Sequence, residues 1–250
     1  MASTNPKLTD DAAAKGWWNI FRACGRDDQQ TAVAVKYLIE HHKAGKIAIL
    51  NDKSAAGRSL ADDVKGQLNA AGITEALFDS VNQGDRDFSA VIGKMKAAGV
   101  EAIYYGGYHT EAALIARQSA EAGLKAQLIG PDSLMTSEFW SISGPGGEGV
   151  LMTFAPDPTI APEAKAIVER FKAQGFNPEG YTLYSYAAMQ VYAQGAQWAG
   201  SLDNQKIAEV LHSGRSIDTV IGKIGYDKKG DIVEPQFILY VWHDGKYKPL

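Results

Sequence analysis

From residue 46 onward the chain alternates short apolar runs with longer segments whose apolar positions recur at helical spacing. The runs at 46–51 (KIAILN), 74–79, 100–106 (VEAIYYG), 126–130 (AQLIG) and 149–154 (GVLMTF) are mostly apolar, as strands buried on both faces must be. The segments between them read as helices at 28–44, 58–71, 88–98, 111–122 and 133–142. Gly45, Gly72, Gly99, Gly123 and Gly144 close them in turn, glycine being the usual left-handed terminator. Repeated βα steps predict a parallel, doubly wound sheet with right-handed crossovers. Ligands in such sheets collect beyond the carboxyl ends of the strands, which points at residues 51–57, 82–87, 106–110 and 131–133.

After Phe154 the pattern changes to helices at 162–174, 181–199 and 204–212, then short strands and a final apolar run at 236–242. His243-Asp244-Gly245 predicts a tight turn leading into Lys246 and Tyr247. This second region has too few strands for a comparable sheet and reads as part of another domain.

Composition narrows the functional classes. The 250 residues are 45% hydrophobic and 22% charged, enough for one domain or two small ones. A net charge of −4, without a block of Lys or Arg, argues against nucleic acid as a partner. The longest apolar runs are strand-sized, far short of the roughly 20 residues that span a bilayer, so no membrane insertion is expected. Cys24 is the only cysteine, which excludes an intrachain disulfide and a Cys-based metal site. The first residues, MASTNPKLTDD, lack the features of a secretory signal peptide.

Individual motifs admit competing readings. Residues 144–149 (GPGGEG) match the glycine spacing of a dinucleotide site, but they follow a predicted helix and enter a strand. That reverses the required context and favours a plain turn. His41 and His42 are neighbours on one helix and diverge by about 100°, while His109, His212 and His243 are scattered along the chain. Cys24 reads as a small buried hydrophobe or as a nucleophile without a recognisable companion. Asp132, after Gly130-Pro131, reads equally as a helix cap or as a carboxylate that pairs with an ammonium group. Tyr108 follows Gly106-Gly107 at a strand end, where it serves either packing or a pocket. Nothing argues positively for catalysis, and no cofactor or metal is implied.

With these residues in view, the chain resembles the Leu/Ile/Val-binding family of type I periplasmic solute receptors that feed ABC transporters. The resemblance is carried by Ala2-Ser3-Thr4-Asn5-Pro6, Phe21-Arg22 with 27–30, Ile47-Ala48-Ile49 with 51–53, Gly84-Asp85 with 87–89, 104–108 and Gly130-Pro131-Asp132. It continues through Tyr186-Ala187-Ala188, 219–222, Gly230-Asp231 and Trp242, in order along the whole chain. It implies two α/β lobes that close on an amino acid, a periplasmic setting and an ABC permease as partner. Ala2, Ser3 and Thr4 then match the segment that holds the ligand's α-carboxylate and ammonium from the first lobe. Tyr108 and Asp132 match second-lobe positions that meet the ammonium, where the family often has Glu for Asp. Tyr181 matches an aromatic position lining the side-chain pocket, usually Phe; its hydroxyl favours a smaller or more polar ligand such as γ-aminobutyrate. Ala56 stands where the family commonly has a Tyr over the ligand, so a wall of the site is lost.

The resemblance also implies that the family's early βα units are absent. Residues 26–154 with 236–250 then form a complete second lobe, a flavodoxin/Rossmann-like sheet, while 1–25 with 155–235 form a remnant of the first. The leading expectation is a non-catalytic amino-acid-binding protein. The alternative is a truncated or engineered scaffold without a working site, a homodimer that hides its exposed first-lobe helices.

Overall fold

The computed structural model describes residues 3–42 and 46–250. In chain order the described elements begin α1 (Lys7–Ala14), α2 (Asp27–His41), β1 (Ile47–Asn51), α3 (Ala55–Ala70), β2 (Leu77–Ser80) and α4 (Ser89–Ala97). They continue β3 (Ala102–Gly106), α5 (His109–Glu121), β4 (Gln127–Gly130), α6 (Ser137–Ser143), β5 (Leu151–Phe154), α7 (Lys165–Ala173) and α8 (Thr182–Ala199). The last are α9 (Asn204–Leu211), β6 (Ile217–Thr219), β7 (Gly222–Ile224), β8 (Ile238–His243) and β9 (Lys246–Pro249). The chain divides into two compact units, Met1–Asp27 with Ala155–Gln236 and, the larger, Asp28–Phe154 with Phe237–Leu250.

The larger unit is built on one sheet of order β2-β1-β3-β4-β5-β8-β9. The first five strands are parallel; β8 runs antiparallel to β5, and β9 antiparallel to β8. Every residue of β1, β3 and β5 is buried, so these mostly apolar strands meet covered faces on both sides. Leu38 of α2 and Leu60, Val64 and Leu68 of α3 pack with Ile47, Ile49, Tyr104, Ile129 and Leu151, each such side chain contributing about 1.5–3 kcal/mol by burial. Ser54 starts α3 by accepting the Gly57 amide at 2.9 Å. Both edges resist further strand pairing. Lys65 lies 4.6 Å over the ring of Phe78 on β2, and β9 carries two lysines and a proline.

In two places the structure departs from the pattern read along the chain. The helix predicted at 133–142 is broken into a 3₁₀ turn, Asp132–Leu134, and α6, because Thr136 sits in extended backbone and caps a fresh start through the Glu138 amide. The helix α1 was not foreseen: it is eight residues long and buries only Thr9 and Ala12, too little to make a periodic stripe. The predicted helix at 28–44 ends at His41 within the described residues, and Ala44 and Gly45 lie outside them. The turn at Asp244-Gly245 joins β8 to β9 with both residues at positive φ (48° and 75°), as a two-residue hairpin demands.

The smaller unit packs α8 and α9 over the β6–β7 hairpin through Val191, Ile207, Leu211, Ile217 and Ile224. Gly195 of α8 admits this contact, since a Cβ there would stand 2.9 Å from the Ile207 side chain. A second cluster joins Ala164, Val168, Leu183 and Val220. Eight of the eleven exposed large apolar side chains among the described residues belong to this unit, including Trp17, Ile160, Met189 and Leu202.

Candidate functional site

In the larger unit the chain runs outward in opposite directions from β1 and β3, to β2 on one side and to β4 and β5 on the other. Parallel sheets open a crevice at such a reversal, beyond the carboxyl ends. The loops after β1, β3 and β4 therefore share one edge; the first leads into α3, whose opening turn holds Ala56, and the other two are followed directly by Tyr108 and Asp132.

This edge is tightly organised. Gly57 and Gly106 bring α3 directly against the end of β3: a Cβ on Gly57 would fall 2.6 Å from the Gly106 carbonyl oxygen. The Asp52 amide donates to that same carbonyl at 3.1 Å. The Asp52 carboxylate accepts from the Ser54 amide (3.0 Å), the Ser54 hydroxyl (2.5 Å) and Gln83 Nε2 (3.1 Å). The Gly84 amide donates to Glu111 at 2.8 Å, tying the loop after β2 to α5. Ser133 Oγ donates to the Gly107 carbonyl at 2.6 Å and so links the ends of β3 and β4.

Ala56 lies in the first turn of α3 and is partly exposed. Tyr108 precedes α5 with 45% of its surface exposed, available to solvent rather than packed in the core. The two glycines before it have separate duties. Gly106 admits α3, and Gly107 covers Tyr105, whose ring would lie 2.6 Å from a Cβ at that position. The Tyr105 hydroxyl is buried without a hydrogen bond of normal geometry. Burial first, then the carboxylates of Asp52 and Glu111, push its pKa far above the usual tyrosine value, with the nearby Tyr108 amide a small offset.

Asp132 is the first residue of the 3₁₀ turn, and the α6 cap is Thr136. Its carboxylate accepts from Gln30 Nε2 at 3.1 Å, and its own amide donates to Gln30 Oε1 at 3.1 Å. Thr153 of β5 donates to the same Oε1 at 2.8 Å. Gln30 and Thr153 were not singled out from the sequence. Gln30 falls within the 27–30 segment that carries the resemblance, and Gln29-Gln30-Thr31 is a polar run at the head of an amphipathic helix.

The remaining residues singled out belong to the smaller unit, except that Ala2 lies outside the described residues. Ser3 is exposed and Thr4 partly so. Their segment is pinned by Arg22, which donates through Nη1 to the carbonyls of Ser3 (2.9 Å) and Asn5 (3.1 Å). The Thr4 carbonyl accepts the Asp27 amide at 2.9 Å. Arg22 donates from Nη2 to Thr9 (2.6 Å) and pairs through Nε with Asp231 (2.7 Å); Asp231 also receives Thr9 (2.9 Å) and Arg26 (3.0 Å). Hydrogen bonds from Arg26 and Lys229 hold the Asp10 carboxyl well below the ordinary carboxylate range. Tyr181 stands just before α8, partly buried, with its ring edge-on to Tyr184 at 5.3 Å.

One grouping with metal-ligand chemistry exists among the described residues, Glu148, His243 and Asp244, all exposed. His243 Nδ1 lies 2.6 Å from Glu148, and the second Glu148 oxygen accepts the Asp244 amide at 3.1 Å, so these groups already satisfy one another. No described helix is long and apolar enough to cross a membrane.

Comparison with known proteins agrees with this architecture. The Leu/Ile/Val-binding protein homolog 1 of Brucella suis biovar 1 (strain 1330) is 48% identical over 248 residues, covering 98% of this chain and 66% of that protein. An amino acid binding protein of Pseudomonas aeruginosa is 44% identical over 99% of this chain and 66% of its own length. The chain thus spans 66% of the length of both relatives. Among solved structures, the leucine-binding protein LivK of Thermotoga maritima superposes with a TM-score of 0.85 at 27% identity, covering 99% of this chain and 70% of that one. The mixed α/β lobe with its mainly parallel sheet is that of type I periplasmic binding proteins. Residues 6–246 match the sequence profile of that group, and the chain belongs to the periplasmic binding protein family.

Proposed function

We propose that this chain binds an amino acid without transforming it, as the substrate-capturing component of an ABC transporter outside the cytoplasmic membrane. The observation that carries the reading is Asp132 at the end of β4, its carboxylate held by a buried amide on the same sheet edge as the exposed Tyr108. A fixed carboxylate and a phenol on one sheet edge suit an ammonium group. The relatives support it by name, as Leu/Ile/Val-binding and amino acid binding proteins. Ser3, Thr4 and Tyr181 are assigned to the ligand by resemblance alone, and Ala56 leaves space where a larger side chain would close the site.

Isothermal titration with leucine, isoleucine, valine and γ-aminobutyrate tests the reading. Binding of at least one, weakened by Asp132→Asn, is expected. No heat from any of them at about 0.1 mM protein removes the proposal for this chain. A second reading, self-association of the chain, is favoured by the exposed Trp17, Ile160, Met189 and Leu202 (52%, 83%, 68% and 78%). Sedimentation at several concentrations tests it, and a monomer throughout would remove it.

A further inference from the structure

Gln30 is fully buried in the first turn of α2, a place where an amide is costly unless its polar atoms are answered. Hydrogen bonds answer them: the Gln30 amide nitrogen donates to the Asp132 carboxylate, and its oxygen accepts from the Asp132 amide and from Thr153. The orientation of the amide follows from chemistry. A backbone N–H can only donate, so the Gln30 atom facing the Asp132 amide is oxygen, and the nitrogen is left facing the Asp132 carboxylate. Thr153, itself buried on β5, adds its hydroxyl to that oxygen and holds the amide against rotation.

We infer that Gln30 is the positioning residue for Asp132, and that Thr153 fixes Gln30 in turn. The inference rests on the reading of Asp132 as the partner of a ligand ammonium group. Gln30 grips the residue at two points, main chain and side chain, so the direction of the carboxylate is set before a ligand arrives. The amide donor also favours an acceptor there, which keeps Asp132 suited to a cation and unsuited to a neutral or anionic group. Preorganisation of this kind removes an ordering cost from binding. Its effect falls on ligands that carry an ammonium and leaves those without one untouched. Gln30 thus governs discrimination for the charged amine rather than affinity in general.

The test compares leucine with 4-methylpentanoate, and γ-aminobutyrate with butyrate, by titration on the whole chain. Each acid lacks only the amine. Wild type is expected to prefer the amine-bearing member of at least one pair. Gln30→Met, of similar volume but without the amide, is expected to lower the affinity for that amine about tenfold and to leave its des-amino partner unchanged. Gln30→Glu, which sets a second carboxylate against Asp132, is expected to lose more at neutral pH and to recover as the pH falls. Thr153→Val, nearly isosteric, should show a smaller loss of the same kind and stands in if Gln30→Met fails to fold.

A merely structural role would weaken both members of a pair alike. That result, or no change in Gln30→Met and Thr153→Val while Asp132→Asn abolishes the preference, overturns the positioning role and leaves amino-acid binding in place. Absence of any preference in wild type, or its survival in Asp132→Asn, overturns the reading of Asp132 and the inference with it.

Discussion

Replacing Asp231 by Ala removes one charge of a buried ion pair in the smaller unit. The side chains of Arg22 and Asp231 are 1% and 9% exposed, and Arg26 beside them is 13% exposed. Asp231 accepts from Thr9 Oγ1 at 2.9 Å and Arg26 Nη1 at 3.0 Å, and its other oxygen lies 2.7 Å from Arg22 Nε as an ion pair. Its removal leaves two guanidinium groups near one another. Arg22 keeps the Ser3 and Asn5 carbonyls and Thr9 as acceptors, but no opposing charge. Breaking a buried ion pair from one side costs about 3–5 kcal/mol, because the surviving charge stays desolvated. Since folded domains are stable by only about 5–15 kcal/mol in total, the loss is a large fraction.

The cost has a location as well as a size. Arg22 ties down residues 3–5, so Asp231→Ala is expected to loosen that segment together with α1 and the 226–232 turn, and to leave the sheet of the larger unit unchanged. Hydrogen exchange read by mass spectrometry resolves these regions, where a single unfolding midpoint would blend the two units. The double variant Arg22→Met with Asp231→Leu removes both charges and should lie nearer to wild type than Asp231→Ala does. Either of two results refutes the reasoning: Asp231→Ala within about 0.5 kcal/mol of wild type, or a double variant no more stable than the single.

Three further outcomes follow from other contacts. Tyr105→Phe removes a buried hydroxyl that makes no normal hydrogen bond and faces Asp52 and Glu111, so denaturant unfolding should show no loss, or a gain of up to about 1 kcal/mol; a clear loss means the hydroxyl has a partner. Gly106→Ala places a methyl group against the Gly57 carbonyl and 3.2 Å from the Ala61 amide, and should destabilise the larger unit by about 1–3 kcal/mol, with exchange rising first in α3. The depressed pKa of Asp10 adds stability that is present above its unfolded value near ~4 and is lost as the pH falls towards the folded value. With 43% of that side chain exposed, the contribution is below about 1 kcal/mol, and Asp10→Asn should flatten the acid limb of the smaller unit's urea stability; an unchanged limb contradicts the assignment.

How far the sequence could be read depends on the range of each interaction. The strands of the larger unit are local patterns: the apolar runs Ile47–Leu50 and Ala102–Gly106, buried throughout, announce a sheet covered on both faces. Its parallel order follows from the helices between them, and the loops after β1, β3 and β4 follow from that order. The place of Tyr108 just past the end of β3 was legible for the same reason. α1 was not legible. It is held by Thr9, whose hydroxyl meets Asp231 from 222 residues away, and no periodicity in Lys7–Ala14 records that contact.

Asp132 shows where local reading stops. Its position after Gly130-Pro131 fits a cap as well as a charge partner, because both uses ask for a short carboxylate at a strand exit. The distinction lies in Gln30, 102 residues earlier in the chain, and in Thr153, 123 residues from Gln30. Each alone has an ordinary surface-residue chemistry, and each becomes informative only when the sheet buries it. A carboxylate used as a cap spends its oxygens on the amides of the following turn, whereas here one oxygen accepts an amide from a different helix and α6 begins on Thr136. The burial of Gln30 is therefore the physical reason to read Asp132 as a group held in place for something other than its own helix.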